Sequence, residues 1–293
     1  MLETVPNVSE GRDAGAIEEI GHAFASQAKL LDVHADADHH RSVFTLAAEA
    51  EPLVESLLAG IARSLELVDL RVHDGVHPRI GAVDVVPLIH LAPPEVALAE
   101  ETARVLAERV GAELELPVFL YGTVGDGRRP AFFRSGGLAE LERRLDAREL
   151  RVDAGPSRLD PRVGAVLVGA RPPLAAYNVD LCTGDVEVAR AIAASIRESS
   201  GGMPGVQAIG LELRLARRVQ VSMNVLDLER SPLHEVVERV RQEAASRGVE
   251  MVDGELVGLV PEHVLADARA AGVSIPGVDE SHVLERALAS SRL

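Results

Sequence analysis

The sequence predicts an α+β protein of two ferredoxin-like (split βαβ) subdomains, each a mixed sheet with helices packed on it, and a ligand cleft between them. Two observations carry this. Hydrophobic periodicity along the 293 residues gives strand, helix, strand, strand, helix, strand in each half, the element order of the split βαβ unit. An asparagine also ends the first strand region of each half, Asn7 and Asn178, ahead of an acidic, helix-starting segment at Glu10 and Asp185. Arg171-Pro172-Pro173 marks the boundary, so the expected subdomains are 1–172 and 173–293.

Leu2–Val8 is expected as a strand stopped by Asn7-Val-Ser-Glu-Gly11. A helix follows over 13–28, with Ala16, Ile17, Ile20, Ala23 and Phe24 at helical spacing and Asp13 as a cap. Lys29–Val33 and Ser42–Ala48 read as strands joined by a polar loop. Pro52 suits a first helical turn, ahead of a helix over Leu53–Val68. After the loop Arg71–Asp84 come a strand (Val83–Leu91), a helix (Glu95–Ala112) and a strand (Leu116–Tyr121). Gly122–Gly137 reads as a polar, glycine-rich connection, Leu138–Ala147 as a helix and Gly164–Gly169 as a strand. Arg151–Arg162 has no period, and an irregular stretch of a dozen residues between packed elements is more often functional or linking than accidental. The second half reads as strand Leu174–Leu181, helix 185–199, a hairpin of Val206–Leu213 with Val219–Leu226 around Arg217-Arg218, helix Pro232–Gly248 ending at its glycine, and strand Gly254–Val260. Helical tails are expected at 261–271 and 279–291.

Apolar residues make up 47% of the chain and aromatics only 2%, with no tryptophan, so the core is aliphatic. The net charge of −16 argues against nucleic-acid or anionic-membrane binding. It leaves room for a small anion held by a few local arginines. Lys29 is the only lysine. The single cysteine, Cys182, excludes an intrachain disulfide and a multi-cysteine metal site, and reads as a small apolar filler. There is no signal-peptide pattern and no apolar run of about 20 residues, the length that spans a bilayer. A cytoplasmic protein is expected.

Chemistry is concentrated in Arg71-Val-His-Asp-Gly-Val-His-Pro-Arg-Ile-Gly-Ala-Val-Asp84, a loop between a helix and a core strand. His77 stands out. Imidazole titrates near neutrality and can both take and give a proton, and Pro78 restricts the backbone before it. Asp74 or Asp84 is expected to orient His77, with Arg71 and Arg79 holding carboxylates. The plainer alternative is a solvated loop whose arginines make surface ion pairs.

A second constellation is His34-x-Asp36-x-Asp38-His39-His40-Arg41. A loop touching an anion or substrate is preferred here, then a polar hairpin loop, then a metal site of the Asp-His-His phosphoesterase type. Asp153–Gly164 is a rigid cradle for a flat ligand or an interdomain linker. Asn178 and Asn224, inside apolar strands, need hydrogen-bond partners and either face a ligand or bridge strands.

Taken together, Val5–Gly11, Leu30–Asp32, Asp38–Val43, Gly75–Pro87, Gly164–Arg171, Ala176–Leu181, Val206–Gly210, Gln220–Asn224, Pro232–His234 and Leu256–Pro261 resemble the formiminotransferase domain in the right order. The resemblance runs to about residue 270. It implies transfer of a formimino group from N-formimino-L-glutamate to N5 of tetrahydrofolate, within histidine degradation and one-carbon metabolism. Tetrahydrofolate is a co-substrate, and no metal is required. His77 matches the catalytic histidine of the family's Gly-Glu-His-Pro-Arg motif, although Val76 replaces its glutamate. The folate segment corresponds to Gly155, Pro156, Ser157, Arg158, Leu159, Asp160, Pro161, Arg162, Val163 and Gly164. Arg41, Arg79, His40, Asn178 and Asn224 are expected to contact substrate. The resemblance also implies a homodimer. Alternatives are a divergent folate-binding protein that uses another donor or lacks turnover, and a metal-dependent phosphoesterase.

Overall fold

The computed structural model describes residues 1–290. The chain divides after Pro172 into two compact units. It is an α+β protein with one mixed sheet and one antiparallel sheet.

The first unit contains β1 (Leu2–Thr4), β2 (Asn7–Val8), α1 (Ala14–Phe24), β3 (Lys29–Asp36), β4 (Arg41–Ala48), α2 (Ala50–Leu67), β5 (Val83–His90), α3 (Val96–Glu113), β6 (Val118–Gly122), α4 (Pro130–Arg134), α5 (Gly137–Asp146) and β7 (Val166–Arg171). Its seven-stranded sheet runs β1-β4-β2-β5-β7-β6, with β3 paired to the outer side of β4. The strand expected at Leu2–Val8 is two strands. Pro6 has no N–H to give the ladder, and its carbonyl instead accepts from the Phe44 amide at 3.1 Å. The β5-β7-β6 part is parallel.

Alternation along these strands builds two cores. Phe44, Leu46, Val86, Leu88, Val118, Val166 and Val168 join Phe24, Leu57, Ile61 and Leu106 of α1–α3 on one face. Val85, Phe119, Tyr121 and Leu167 join Phe133 and Leu141 of α4 and α5 on the other. Burial on both faces explains why Val85–Ile89 of β5 reads as an apolar run. The same alternation puts Arg41, next to Ser42 and opposite in parity to Phe44, on the α4–α5 face.

A bulge at the start of β5 matters more than its length suggests. Asn7 pairs with Val85 but Val8 pairs with Val83, so Asp84 is the extra residue. Bulges re-aim a side chain beside the ladder. Here Asp84 and Val85, neighbours in sequence, both serve the second face.

The second unit contains β8 (Ala175–Leu181), α6 (Val186–Ile196), β9 (Val206–Leu213), β10 (Arg218–Val225), α7 (Leu233–Ala245), β11 (Met251–Val257), α8 (Glu262–Ala270) and α9 (Leu284–Ser290). The sheet order is β11-β8-β10-β9. Every pairing is antiparallel, which corrects the mixed sheet expected here. The helical crossovers join strands that are not neighbours, so no parallel pair forms. Tyr177, Val179, Val221 and Met223 pack with Ile192, Ile196, Val236 and Val240. The last expected strand lies three residues earlier than read. Cys182 is exposed, not a core filler. Ser291, the end of the tail expected at 279–291, lies outside the described residues.

Candidate active site

The site grows from the two ends of the β3–β4 hairpin and the loop before β5. β3 continues to Asp36 and β4 starts at Arg41, so the polar loop expected at 34–41 is a four-residue turn. Asp36 Oδ1 accepts from the His39 amide at 2.6 Å and caps the turn. His40 closes it at φ +49°, and its Nδ1 accepts from the Gly11 amide at 3.1 Å.

The His77 loop is laced onto this turn. Val76 N–H donates to the Asp38 carbonyl at 3.1 Å, and His73 Nε2 donates to the His40 carbonyl at 2.9 Å. The His40 and His73 rings stack with centroids 4.0 Å apart. Gly75 must be glycine here, because a Cβ would sit 2.2 Å from the His39 carbonyl oxygen. Arg79 is the clamp. Its Nε donates to the His77 carbonyl at 3.0 Å, one Nη donates to the His39 carbonyl at 3.1 Å, and the other meets the His73 ring. Its donors therefore hold the loop together. Burial and Arg79 push His73 down to about 4, so that ring is neutral at physiological pH.

Two neighbours meet the His77 ring. Arg41 Nη1 lies 3.0 Å from its Nε2, and the His39 ring stacks on it at 5.8 Å and 23°. Its Nδ1 is buried and meets no partner. Burial first, then Arg41, Arg134, His39 and Arg79, hold its pKa well below the ordinary histidine value. Neither carboxylate expected to orient it does so. Asp74 pairs with Arg12 at 2.6 Å on the surface. Asp84 accepts from the Ile80 amide at 2.8 Å and pairs with Arg134 at 2.5 Å. Arg71 is a surface arginine paired with Asp69 at 2.6 Å.

Arg134 was not anticipated. It ends α4, a single turn inside what reads as a loop. Phe133 beside it is buried against Phe119 at 5.3 Å between centroids, which fixes the turn and leaves Arg134 largely buried on Asp84. The signal available was Phe132-Phe133 in a chain almost without aromatics, with Pro130 ahead of it at a helix start. Arg41, Arg79 and Arg134 thus gather around one histidine and one buried carboxylate. Burial and the neighbouring Arg134 push the Arg41 guanidinium down to about 10, as expected where positive charge is left partly uncompensated.

The segment 155–164 is stitched to the same loop at its far end. Ala82 N–H donates to the Val163 carbonyl at 2.8 Å, Ala165 N–H to the Ile80 carbonyl at 3.0 Å, and Leu70 N–H to the Arg162 carbonyl at 2.8 Å. Asp160 Oδ1 accepts from the Arg162 amide at 2.8 Å. Gly164 (φ +70°) leaves no room for a side chain, since a Cβ would stand 2.0 Å from the Ile80 carbonyl oxygen. At its near end Gly155, Ser157, Arg158 and Leu159 line a cavity of about 840 Å³ with Glu142, Leu145, Arg148 and Arg151. Pro156 and Pro161 stiffen the stretch between. His77 is not among the residues lining that cavity.

Asn178 and Asn224 belong to the second unit, on the sheet face that carries no α6–α7 packing. Asn178 is buried and its Nδ2 reaches Glu255 at 3.5 Å; Asn224, opposite Ala176, is exposed. Beside Asn178 on that face, Gln220 donates to Asp180 at 3.0 Å. For the third-ranked reading of residues 34–41, no group of three or more His, Cys, Asp or Glu among the described residues is arranged to hold a metal ion.

His77 is thus a buried histidine with a lowered pKa, set among the guanidinium groups of Arg41, Arg79 and Arg134. Residues 1–171 match the formiminotransferase domain, N-terminal subdomain, and residues 176–274 match the formiminotransferase domain. The chain belongs to the formiminotransferase domain family. It is 38% identical to the glutamate formimidoyltransferase of Thermoplasma acidophilum over 98% of this chain and 96% of that one. It is 33% identical to the enzyme of the same name from Streptococcus pyogenes serotype M1, over 97% and 99%. A formimidoyltransferase-cyclodeaminase of Gallus gallus is 39% identical over 92% of this chain and 51% of that protein.

Proposed function

We propose that the chain is a glutamate formimidoyltransferase, moving a formimino group from N-formimino-L-glutamate to N5 of tetrahydrofolate. The observation that carries the reading is His77: buried, neutral at working pH, and set among guanidinium groups, within a chain belonging to this family. N5 attacks the amidine carbon, forming a C–N bond, and gives up its proton. The tetrahedral intermediate then loses the glutamate nitrogen, which takes a proton as its C–N bond breaks. One imidazole serves both transfers. Atoms balance as 5-formiminotetrahydrofolate and glutamate, with no redox change.

In this reading Gly155–Gly164 contacts the folate. Its support is twofold: the cavity beside Ser157 and Arg158 is of the size that takes small ligands, and the segment's other end is bonded to the residues following His77. Arg41 and His40 contact the donor. Arg79 acts by holding the His77 backbone. Asn178 and Asn224 add polar contacts to substrate, a role consistent with their place on the sheet face turned away from α6 and α7. Each unit is read as built on a split βαβ; the strand orders β3-β4-β2-β5 and β11-β8-β10-β9 support this, with β6 and β7 as an addition. The working form is read as a cytoplasmic homodimer. No described helix is long and apolar enough to cross a membrane, and light scattering tests the dimer.

The deciding experiment is product analysis with tetrahydrofolate and two donors, N-formimino-L-glutamate and N-formyl-L-glutamate. The reading expects 5-formiminotetrahydrofolate from the first at the higher kcat/KM. Preference for the formyl donor, or folate binding without product, would displace it.

A further inference from the structure

The contact between Arg41 and His77 has a chemical consequence. A guanidinium has donors only. Nε2 of His77, 3.0 Å from Arg41 Nη1, must therefore accept, and the ring proton of the neutral form sits on Nδ1. That Nδ1 is buried and unpartnered. In the free protein the basic lone pair is occupied and the idle nitrogen is a donor. A ring in this state cannot take a proton from N5.

We infer that Arg41 is a substrate-released cover on the base: a carboxylate of the donor draws the guanidinium off His77 Nε2, so the base is exposed only when an anion is seated. This rests on the reading above and adds to Arg41 a positioning role beyond contact with substrate. The mobile partner is Arg41 and not the histidine. The His77 carbonyl is held by Arg79 Nε at 3.0 Å, Arg79 also grips the His39 carbonyl, and the His39 ring lies against His77. Arg41, in contrast, is a long side chain at a strand end. The buried carboxylate nearby, Asp84, is already engaged by Arg134 and the Ile80 amide. Positive charge from Arg134 opposes that of Arg41. An arriving carboxylate relieves that repulsion and offers Arg41 the two-point, charge-assisted contact it lacks on a ring nitrogen. Because Nε2 is covered in the unliganded site, the base stays out of reach of water until the donor arrives.

The test is nitrogen NMR on histidine-labelled full-length protein near neutral pH, with His77 assigned by its loss in His77→Gln. The free protein should show His77 protonated at Nδ1 and unprotonated at Nε2. Glutarate, the donor's carbon skeleton without the reacting group, should move the Nε2 resonance as the guanidinium contact is lost. Arg41→Met, or Arg41→Gln where the first does not fold, should show the uncovered signal without glutarate. In turnover the variant's KM for donor should rise roughly 10- to 100-fold, the range of a lost charged hydrogen bond, while kcat falls far less than in His77→Ala. A proton on Nε2 in the free wild type overturns the inference. So does an Nε2 signal unmoved by saturating glutarate, failure of glutarate to bind, or a kcat loss in Arg41→Met equal to that of His77→Ala. Tautomer and glutarate response are read without turnover. A protein that meets both yet makes no 5-formiminotetrahydrofolate keeps the cover and loses the assigned reaction.

Discussion

His77 carries no charge at neutral pH because burial and the positive or polar neighbours around it, Arg41, Arg134, His39 and Arg79, all oppose protonation. The sign for activity follows. A base must be unprotonated, so kcat/KM holds down through pH 6.5 and falls only as the pH drops through the depressed pKa. A profile of kcat/KM against pH checks this, and half-loss at pH 6.5 or above would contradict it. Arg41→Met removes one opposing charge and should move that limb upward. His73 supplies a stability prediction. Its folded pKa, about 4, lies below the ordinary value of 6.5. Above that value it is neutral folded and unfolded alike, and contributes nothing to the slope. As pH falls from about 6.5 towards 4 the unfolded chain takes up a proton that the native site refuses, and stability drops. Urea titrations across that window should show the drop in wild type and a shallower one in His73→Gln. His77 was legible in the sequence from residue type and the flanking Pro78 and Arg79. Its partner was not: a carboxylate was expected beside it, and an arginine 36 positions earlier contacts its ring instead. No local spacing encodes that contact, because the β3–β4 turn brings it about.

Two small irregularities decide the geometry at the scale of elements. The bulge at Asp84 turns a carboxylate towards Arg134 and the Ile80 amide. A bulge of this kind is invisible to alternation, which assigns Val83–Leu91 correctly as a buried strand and says nothing of one extra residue. The other irregularity is α4, too short for a helical period to register; it depends on Phe133 being buried with Phe119, Leu141 and Leu167. Phe133→Ala should cost about 3–5 kcal/mol in unfolding free energy, as for other buried aromatics cut to alanine, and should raise KM through Arg134. Denaturant melts and kinetics on the same preparation check both. Gly164→Ala meets a carbonyl at 2.0 Å and a left-handed φ. Strained backbone of this kind costs about 1–3 kcal/mol, and because residues 163–165 are bonded to 80–82, folate affinity should fall along with stability. An unchanged melting curve would argue against the close approach. The helices over 13–28 and 53–68 were legible because each buries a regular stripe against the sheet. The irregular segment 151–162 was legible only as irregular.

The whole chain is acidic, with a net charge of −16, yet its candidate site concentrates arginine. Composition argued against broad anionic partners and left this local reversal open, which is where the physics of the site lies. Two units were legible from the repeated element order and the Pro172-Pro173 break. The parallel addition of β6 and β7 was not, since pairing partners far apart in sequence leave no mark on periodicity. In the proposed reaction His77 transfers the proton as the formimino group passes to tetrahydrofolate. The most direct test of this role is single-turnover formation of 5-formiminotetrahydrofolate from N-formimino-L-glutamate by wild type beside His77→Ala, with folding of the variant verified. We predict a rate loss of about 10²- to 10⁴-fold, the usual worth of a positioned acid–base group, at little change in folate binding. A folded His77→Ala protein that turns over within a few-fold of wild type would contradict it.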